Sequence, residues 1–446
     1  MPVGSEAAFE WHAREGALER LLPPWSQIRL LERPGPLAEG GRVVLEVPIG
    51  PVRVKWVLVY RGVVPGQAFV DEQVDGPFAQ WRHHHQFETL GPDRSSMRDR
   101  VEYVPPFGEA GAMLGGGYLG RELERTFRYR HDVTTADLYS HERHASSPRR
   151  TVALSGAGGL IGTQASAFLR SGGHTVRPLV RRAAAVGEIG WDPSTGRVDL
   201  AAMEGVDAVV HLAGENIAGG RWTAERKRRI RESRTRGSRA IAEAVARLRQ
   251  RPEVLITASA VGIYGDRGDQ LLDEDSPARD GFLAEVGREW EGATAPAAEA
   301  GLRIVHLRFG IVLSPAGGAL ARMLPPFLLG AGGPIGSGRQ WMSWISIDDA
   351  VDAIHEALFD HRLAGPVNAT APEPVQNREF VATLGRVLNR PSVVPAPAFA
   401  LRALFGELAD ETLLASQRVL PSRLQRLGFR FRHPTVESAF RHVLGR

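Results

Sequence analysis

Between residues 7 and 22, AAFEWHAREGALERLL places Phe9, Ala13, Ala17, Leu18, Leu21 and Leu22 at helical spacing, and Pro23-Pro24 ends the run. A first helix is expected there. From Ile28 to Phe87 the period falls to two: RVVLEVPIGPVRVKWVLVYRGVV alternates around Gly50-Pro51, and AFVDEQVDGPFAQWRHHHQFE follows. These stretches read as antiparallel strands, with Arg100 to Tyr103 as another. After Pro105-Pro106, GGGYLG reads as a glycine-rich loop, and Leu119 to Tyr139 carries a looser apolar period within a charged helix. The polar stretch His141 to Arg150, HERHASSPRR, then reads as a linker, which puts a domain boundary near residue 148.

Beyond that boundary strands and helices alternate. Thr151 to Leu154, Thr175 to Val180, Ala208 to Leu212, Val254 to Ser259 and Arg303 to Leu307 read as strands, with helices such as Thr223 to Arg249 and Phe282 to Ala300 between them. The alternation predicts a parallel, doubly wound α/β sheet. Its first turn carries the most information. TVALSGAGGLIG is an apolar strand running into glycines at 156, 159 and 162 and then into an alanine-rich helix, which is the dinucleotide fingerprint in its proper setting. Gly156 permits the tight turn, Gly159 lets the backbone approach a pyrophosphate, and Gly162 lets helix and strand pack closely. The backbone N–H groups of Leu160 and Ile161, at the helix start, face the phosphates.

Composition narrows the classes. At 446 residues the chain is too long for one ordinary core, and 43% hydrophobic with 24% charged residues describes a globular protein. Only Lys55 and Lys227 are lysines among 55 basic residues, so a net charge of +4 reflects arginine usage and is poor support for nucleic acid. The absence of cysteine excludes disulfides, thiolate metal sites and cysteine nucleophiles. No signal peptide and no apolar run long enough to span a bilayer is seen, so a cytoplasmic protein without membrane insertion is expected. His83, His84 and His85 lie on a strand, where neighbouring side chains take opposite faces, so only His83 and His85 can share an ion. A satisfied or exposed histidine face is the expectation, and no metal is expected.

Nucleotide choice follows from the second strand. A carboxylate about 20 positions after the glycines would bind the ribose hydroxyls of NAD, whereas an arginine there accommodates the 2′-phosphate of NADP. The strand ends in Val180-Arg181-Arg182. NADP is therefore expected over NAD.

The opening FEWHAREGALERLLPPW, followed by strands and a long helix, resembles the START-like (SRPBCC) polyketide cyclase and lipid-transport superfamily. That resemblance implies an α+β helix-grip domain over 1–148, whose sheet wraps around the last helix to hold an apolar small molecule. The motifs SGAGGLIG, HLAGENIAGGRW, SRTRGSRA, ASAVGIYGDRGD, GFLAEVGREWE, RFGIVLSPAGGAL, GGPIGSGRQWMSWISIDD and GFRFRHPTVESA resemble the epimerase-like group of extended short-chain dehydrogenases/reductases across 149–446. This implies an NAD(P)-binding Rossmann domain with a substrate-side segment from about 390 to 446. Carried over by motif, Gly156, Gly159 and Gly162 hold the pyrophosphate, Arg181 and Arg182 lie at the 2′-phosphate, Leu212, Ala213 and Gly214 line the adenosine side, and Arg234 approaches the cofactor. The group is often described as nucleoside-diphosphate-sugar epimerases, and plastid and cyanobacterial relatives are linked to cell division.

One departure limits the chemistry. Short-chain reductases use a Tyr-x-x-x-Lys pair, in which lysine lowers the tyrosine pKa for proton exchange. After residue 150 the only tyrosine is Tyr264 and the only lysine is Lys227, and Gly268 stands four positions after Tyr264. The serine usually found four residues before the Tyr-Gly is displaced, with Ala260 there and Ser259 one earlier. Two readings follow. In the first, an NADP-dependent oxidoreductase or epimerase acts on a small-molecule substrate, with Ser259, Tyr264 or a carboxylate such as Glu289 replacing the usual relay; Glu289 and Glu291 otherwise read as helix-face charges. In the second, the domain binds NADP without turnover and works as a redox-sensing or cell-division regulator. In related enzymes the loop Gly332 to Trp344 closes over substrate, which makes Arg339, Gln340 and Trp344 candidate contacts. Asp348 and Asp349 read as capping carboxylates, and Ser346 stands where the family commonly has histidine. The sequence leaves oligomeric state open.

Overall fold

A computed structural model of the chain describes residues 1–32, 35–105 and 108–446, with the side chains of 108–116 outside the description. The residues form two compact units: 1–148 with 167–174 and 445, and 149–166 with 175–444 and 446. Pro106 lies outside the described residues.

In the first unit the period-two stretches become β1 (Arg29–Leu30), β2 (Arg42–Ile49), β3 (Val52–Val64), β4 (Ala68–Asp75), β5 (Gln80–Gly91) and β6 (Arg94–Val104). They pair antiparallel in simple order, each strand beside its neighbour in the chain. Gly50 closes the tight β2–β3 turn with φ +56°, a left-handed conformation that side chains disfavour. The expected first helix is broken into α1 (Ser5–Ala13) and α2 (Ala17–Leu21), because Gly16 takes φ +90° between them. The last helix, α3 (Gly108–Glu142), begins well before Leu119, so GGGYLG lies inside a helix and not in a loop, and α3 runs into the expected linker. A glycine costs about 1 kcal/mol against alanine in a helix interior. A helix of 35 residues tolerates that loss through its own length and through packing. Arg20 on α2 and Asp137 on α3 form a buried ion pair, with Nε–Oδ2 at 2.8 Å and Nη2–Oδ1 at 2.9 Å. Phe9, Trp11, Phe69, Phe87 and Leu138 make one apolar cluster of this unit, and Val43, Leu45, Val47, Leu58 and Trp81 another. This is the α+β helix-grip arrangement.

The second unit is a doubly wound Rossmann sheet. Its strands β7 (Thr151–Ser155), β8 (Thr175–Val180), β9 (Ile189–Asp192), β10 (Arg197–Val198), β11 (Ala208–His211) and β12 (Val254–Ala260) are followed by Arg303–Phe309 and Gly365–Ala369. The order is β10-β9-β8-β7-β11-β12, then those two strands. Every pairing is parallel except the β9–β10 edge hairpin. Chain order reverses between β7 and β11, the switch point at which open α/β sheets bind ligands. The connections include α4 (Leu160–Ser171), α5 (Leu200–Met203), α6 (Ala224–Arg247) and α7 (Phe282–Gly292). Thr223 caps α6 by accepting the Arg226 N–H. The helix expected to run to Ala300 stops at Gly292 and resumes as the short Ala295–Glu299. Among the described residues no helix is long and apolar enough to cross a membrane.

Candidate functional site

The switch point is shaped by its glycines. Gly156 leaves β7 at φ +73°, and a methyl group there would come within 2.9 Å of the Ala213 nitrogen and the Leu212 carbonyl carbon. The turn after β7 therefore lies against the loop after β11 only because residue 156 has no side chain. A methyl at Gly162 would overlap the Gly156 carbonyl, so the first turn of α4 closes onto the β7 turn for the same reason. Gly158 faces open space, and a methyl group there would meet nothing within 4 Å. The first-turn N–H groups of α4, at Leu160 and Ile161, have no acceptor within the helix. A close-packed turn, an open glycine and free N–H groups at a helix start fit a pyrophosphate. The Leu212 N–H donates to the Ser155 carbonyl at 3.2 Å, and the Ser155 hydroxyl pairs with His211 Nδ1 at 2.6 Å.

The two arginines at the end of β8 part company. Arg182 is engaged by Glu188, with guanidinium to carboxylate distances of 2.6 and 2.7 Å. Arg181 is exposed and makes no ion pair or hydrogen bond among the described residues. Arg234, on α6, packs against Gly214 and sits over the Trp290 ring at 5.0 Å, and burial pulls its guanidinium down to about 10.

At the carboxyl ends of the strands, register brings Ser259, Arg308 and Asn368 side by side across three adjacent strands. Ser259 donates to Glu291 Oε1 at 2.7 Å. Arg308 forks the same carboxylate, Nε to Oε1 at 2.8 Å and Nη2 to Oε2 at 2.8 Å. Its Nη1 donates to the Tyr264 hydroxyl at 2.9 Å, and that hydroxyl donates to Asn368 Oδ1 at 2.8 Å. Burial alone would raise the Glu291 carboxyl, but Arg308 and Ser259 hold it below its ordinary value. Burial pushes the Tyr264 phenol up, against the opposing pull of Arg308. The network therefore presents an ionised glutamate and a neutral tyrosine at neutral pH.

The expected residues fare unequally. Glu289 is a half-exposed partner of Arg231, as a helix-face charge should be. Glu291 is not: its side chain is 14% exposed and it is the hub of the cluster. Tyr264 is 0% exposed with its hydroxyl engaged on both sides, so it offers no proton to a bound molecule. Trp344 is also wholly buried, in a core with Leu313, Phe380 and Phe440, and its indole N–H donates to the Glu373 carbonyl. It has no surface left for substrate. Gln340 is equally occupied, its amide donating to the Ile335 and Leu413 carbonyls at 3.0 Å each. Of that loop's candidates Arg339 alone is exposed. Ser346, and neither Asp348 nor Asp349, caps the following helix: its hydroxyl accepts the Asp349 N–H at 2.9 Å and donates to the Asp349 carboxylate at 2.7 Å. Arg308, Asn368 and the role of Glu291 were missed from sequence. The one available signal was Arg308, a charged residue near the carboxyl end of the strand RIVHLRF, which also carries Arg303 and His306.

Residues 152–368 match the NAD dependent epimerase/dehydratase family, 396–443 a domain of unknown function (DUF1731), and 1–128 the family described as polyketide cyclase / dehydrase and lipid transport. An epimerase family protein of Mycobacterium bovis is 48% identical over 296 residues, which is 66% of this chain and 98% of that one. A crystal structure described as the nucleoside-diphosphate sugar epimerase from Corynebacterium glutamicum aligns at TM-score 0.82 and 35% identity, covering 100% of this chain and 89% of that one. The human epimerase family protein SDR39U1, crystallised with NADPH, aligns at TM-score 0.61 and 33% identity over 66% of this chain and 98% of its own.

Proposed function

The chain belongs to the epimerase family, and from that premise we propose that it is an NADP(H)-dependent oxidoreductase or epimerase acting on a hydroxyl-bearing small molecule. The observation that carries this reading is the Ser259–Glu291–Arg308 cluster at the carboxyl ends of the parallel strands, where open sheets hold their reacting groups. When bound, the dinucleotide supplies the hydride acceptor or donor. The chain's own residues do the rest. The glycine turn and the start of α4 receive the pyrophosphate, and Arg181, exposed and without a partner among the described residues, takes the 2′-phosphate that distinguishes NADP from NAD. Glu291, kept ionised by Arg308, accepts the proton of a substrate hydroxyl, directly or through the Ser259 hydroxyl hydrogen-bonded to it. A carboxylate has about four acceptor positions, so the bonds from Ser259 and Arg308 leave capacity for one more donor. Tyr264 holds Arg308 and Asn368 in place.

Nucleoside-diphosphate sugars are the first substrates to test, on the likeness to the Corynebacterium glutamicum protein of that description. The test follows reduced-nicotinamide absorbance with NADP+ or NADPH and a panel of nucleotide-sugar, carbonyl and enone compounds, and separates the sugar products by chromatography, because an epimerase returns its hydride and leaves no net absorbance change. Turnover that Glu291→Gln abolishes while NADPH affinity stays intact supports the reading. One observation favours a second reading, a non-catalytic NADP(H)-binding regulator: Ser259 is only 3% exposed and Tyr264 0%. NADPH binding without turnover on any of these compounds selects it. For the first unit, we propose an apolar small-molecule ligand, supported by its match to the lipid-transport family. Native mass spectrometry of copurified ligands tests this, and a bare chain refutes it.

A further inference from the structure

A second cluster of ionisable groups, on the inner face of the first unit's sheet, has no part in the chemistry above. Register sets Asp71 on β4 opposite His83 on β5, and His85 on β5 opposite Asp99 on β6. His83 and His85 are buried on that face, while His84 between them is one-third exposed. The two imidazoles, 3.8 Å apart by ring centroid, are held between two carboxylates. On one side Asp71 Oδ2 lies 3.0 Å from His85 Nε2 and 3.4 Å from His83 Nδ1. On the other, Asp99 Oδ1 lies 2.9 Å from His83 Nε2 and 3.0 Å from His85 Nδ1, and its second oxygen meets His131 of α3 at 2.5 Å.

We propose that this face is a binding site for a divalent first-row transition cation of the zinc or iron class, ligated by Asp71, His83 and His85 with Asp99 as the orienting carboxylate behind them. Several observations converge on it. Asp71, His83 and His85 each bring one ligand atom within 4.8 Å of the others. The separations of 3.0 and 3.4 Å between the Asp71 oxygen and the two nitrogens are those that metal bonds of about 2.0–2.2 Å subtend. Ligating histidines characteristically give their other ring nitrogen to a carboxylate, and Asp99 stands at both of those nitrogens.

The surroundings agree. Phe69 stacks on His85 at 3.9 Å and Phe127 meets His83 edge-on at 4.9 Å, so the donors sit in an apolar shell. Neither Asp71 nor Asp99 has an arginine or lysine ion pair among the described residues; Arg130 adds a positive field, but its Nε donates to the Leu21 carbonyl. Nearby, His12 Nε2 is buried with no hydrogen-bond partner, its ring 6.1 Å from that of His85. Two histidines and one carboxylate leave coordination positions open to water or a further ligand, the donor set associated with non-haem iron and catalytic zinc. The expectation of no metal rested on two histidines alone; the carboxylates come from strands that the sequence did not place beside them.

The experiment titrates Co2+ and Zn2+ into the full-length chain after chelator treatment, reading Co2+ visible absorbance and calorimetric stoichiometry. One equivalent of tightly bound metal is expected. Asp71→Asn and the double variant His83→Asn/His85→Asn should abolish binding, Asp99→Asn should weaken it about 10–100-fold, and His84→Gln should leave it unchanged. If the unaltered chain takes up neither ion, the proposal is overturned without recourse to any variant. It is also overturned if the double variant still binds, or if His84→Gln is as damaging as the double variant. NADPH affinity, measured alongside, reports that the second unit is folded and is independent of this site.

Discussion

The Glu291 cluster of the second unit and the Asp71–Asp99 cluster of the first both hold largely buried carboxylates, and they differ in the cation that faces them. In the second, Glu291 meets the guanidinium of Arg308, which does not release its proton at any ordinary pH. In the first, Asp71 and Asp99 meet imidazoles, whose ring nitrogens can hold either a proton or a metal ion. A carboxylate locked to arginine is a fixed charge that can receive a substrate proton but cannot exchange its partner. A carboxylate facing histidine can trade protons for a metal ion. Under the two proposals the same kind of buried acid serves two chemistries, and the side chain set opposite it decides which.

The largest expected effect breaks the arginine side of this contrast. Arg308→Met strands a buried charge at Glu291 and should cost about 3–5 kcal/mol in urea denaturation, with most of it recovered in Arg308→Met/Glu291→Gln. A silent Arg308→Met would mean that Glu291 is not held as described. Next comes an imidazole buried with no carboxylate at all. His211 has only the Ser155 hydroxyl at hand, and burial pulls it down to about 4. Folding favours its neutral form, so the unfolded chain binds more protons between about 4 and 6.5 and stability rises with pH across that window. This stability, on the order of 3 kcal/mol, is present above 6.5 and lost on acidification toward 4. His211→Gln should flatten the pH dependence of the urea midpoint, whereas His85, facing two carboxylates, is held above its ordinary value.

A smaller effect separates a guanidinium without a partner from one already paired. Arg181→Asp should weaken NADPH by about 1.5–3 kcal/mol while hardly touching NADH, and Arg182→Ala, losing only its Glu188 partner, should change neither. Equal losses for both nucleotides in a fluorescence titration would remove Arg181 from the 2′-phosphate. Smallest is Tyr264→Phe, which deletes one hydrogen bond to Asn368 and one from Arg308. It should cost about 1 kcal/mol in stability and leave NADPH affinity alone.

The glycine turn after β7 could be read in advance because its signals are local. Gly156 and Gly162 follow β7 within a few residues, and the need for glycine comes from backbone contacts made in that same turn and the adjoining loop. His83 and His85 share a face for an equally local reason, the period of a strand. Trp344 and Gln340 misled because a glycine-rich aromatic loop resembles a lid. The large apolar indole gains more from burial beside Phe380 and Phe440 than from waiting for a ligand. GGGYLG misled in the opposite way, since the preference of glycine for turns gave way to the continuity of a long helix.

What the order of residues settled unaided was fold class, the glycine turn after β7 and which side chains share a strand face, since periodicity and chain-adjacent backbone geometry act over short distances. The partnerships required the folded chain. Ser259 reaches Glu291 and Arg308, and His83 and His85 reach Asp71 and Asp99, only once strand order and register are fixed. Those follow from packing the whole sheet, to which every strand contributes and which no short stretch encodes.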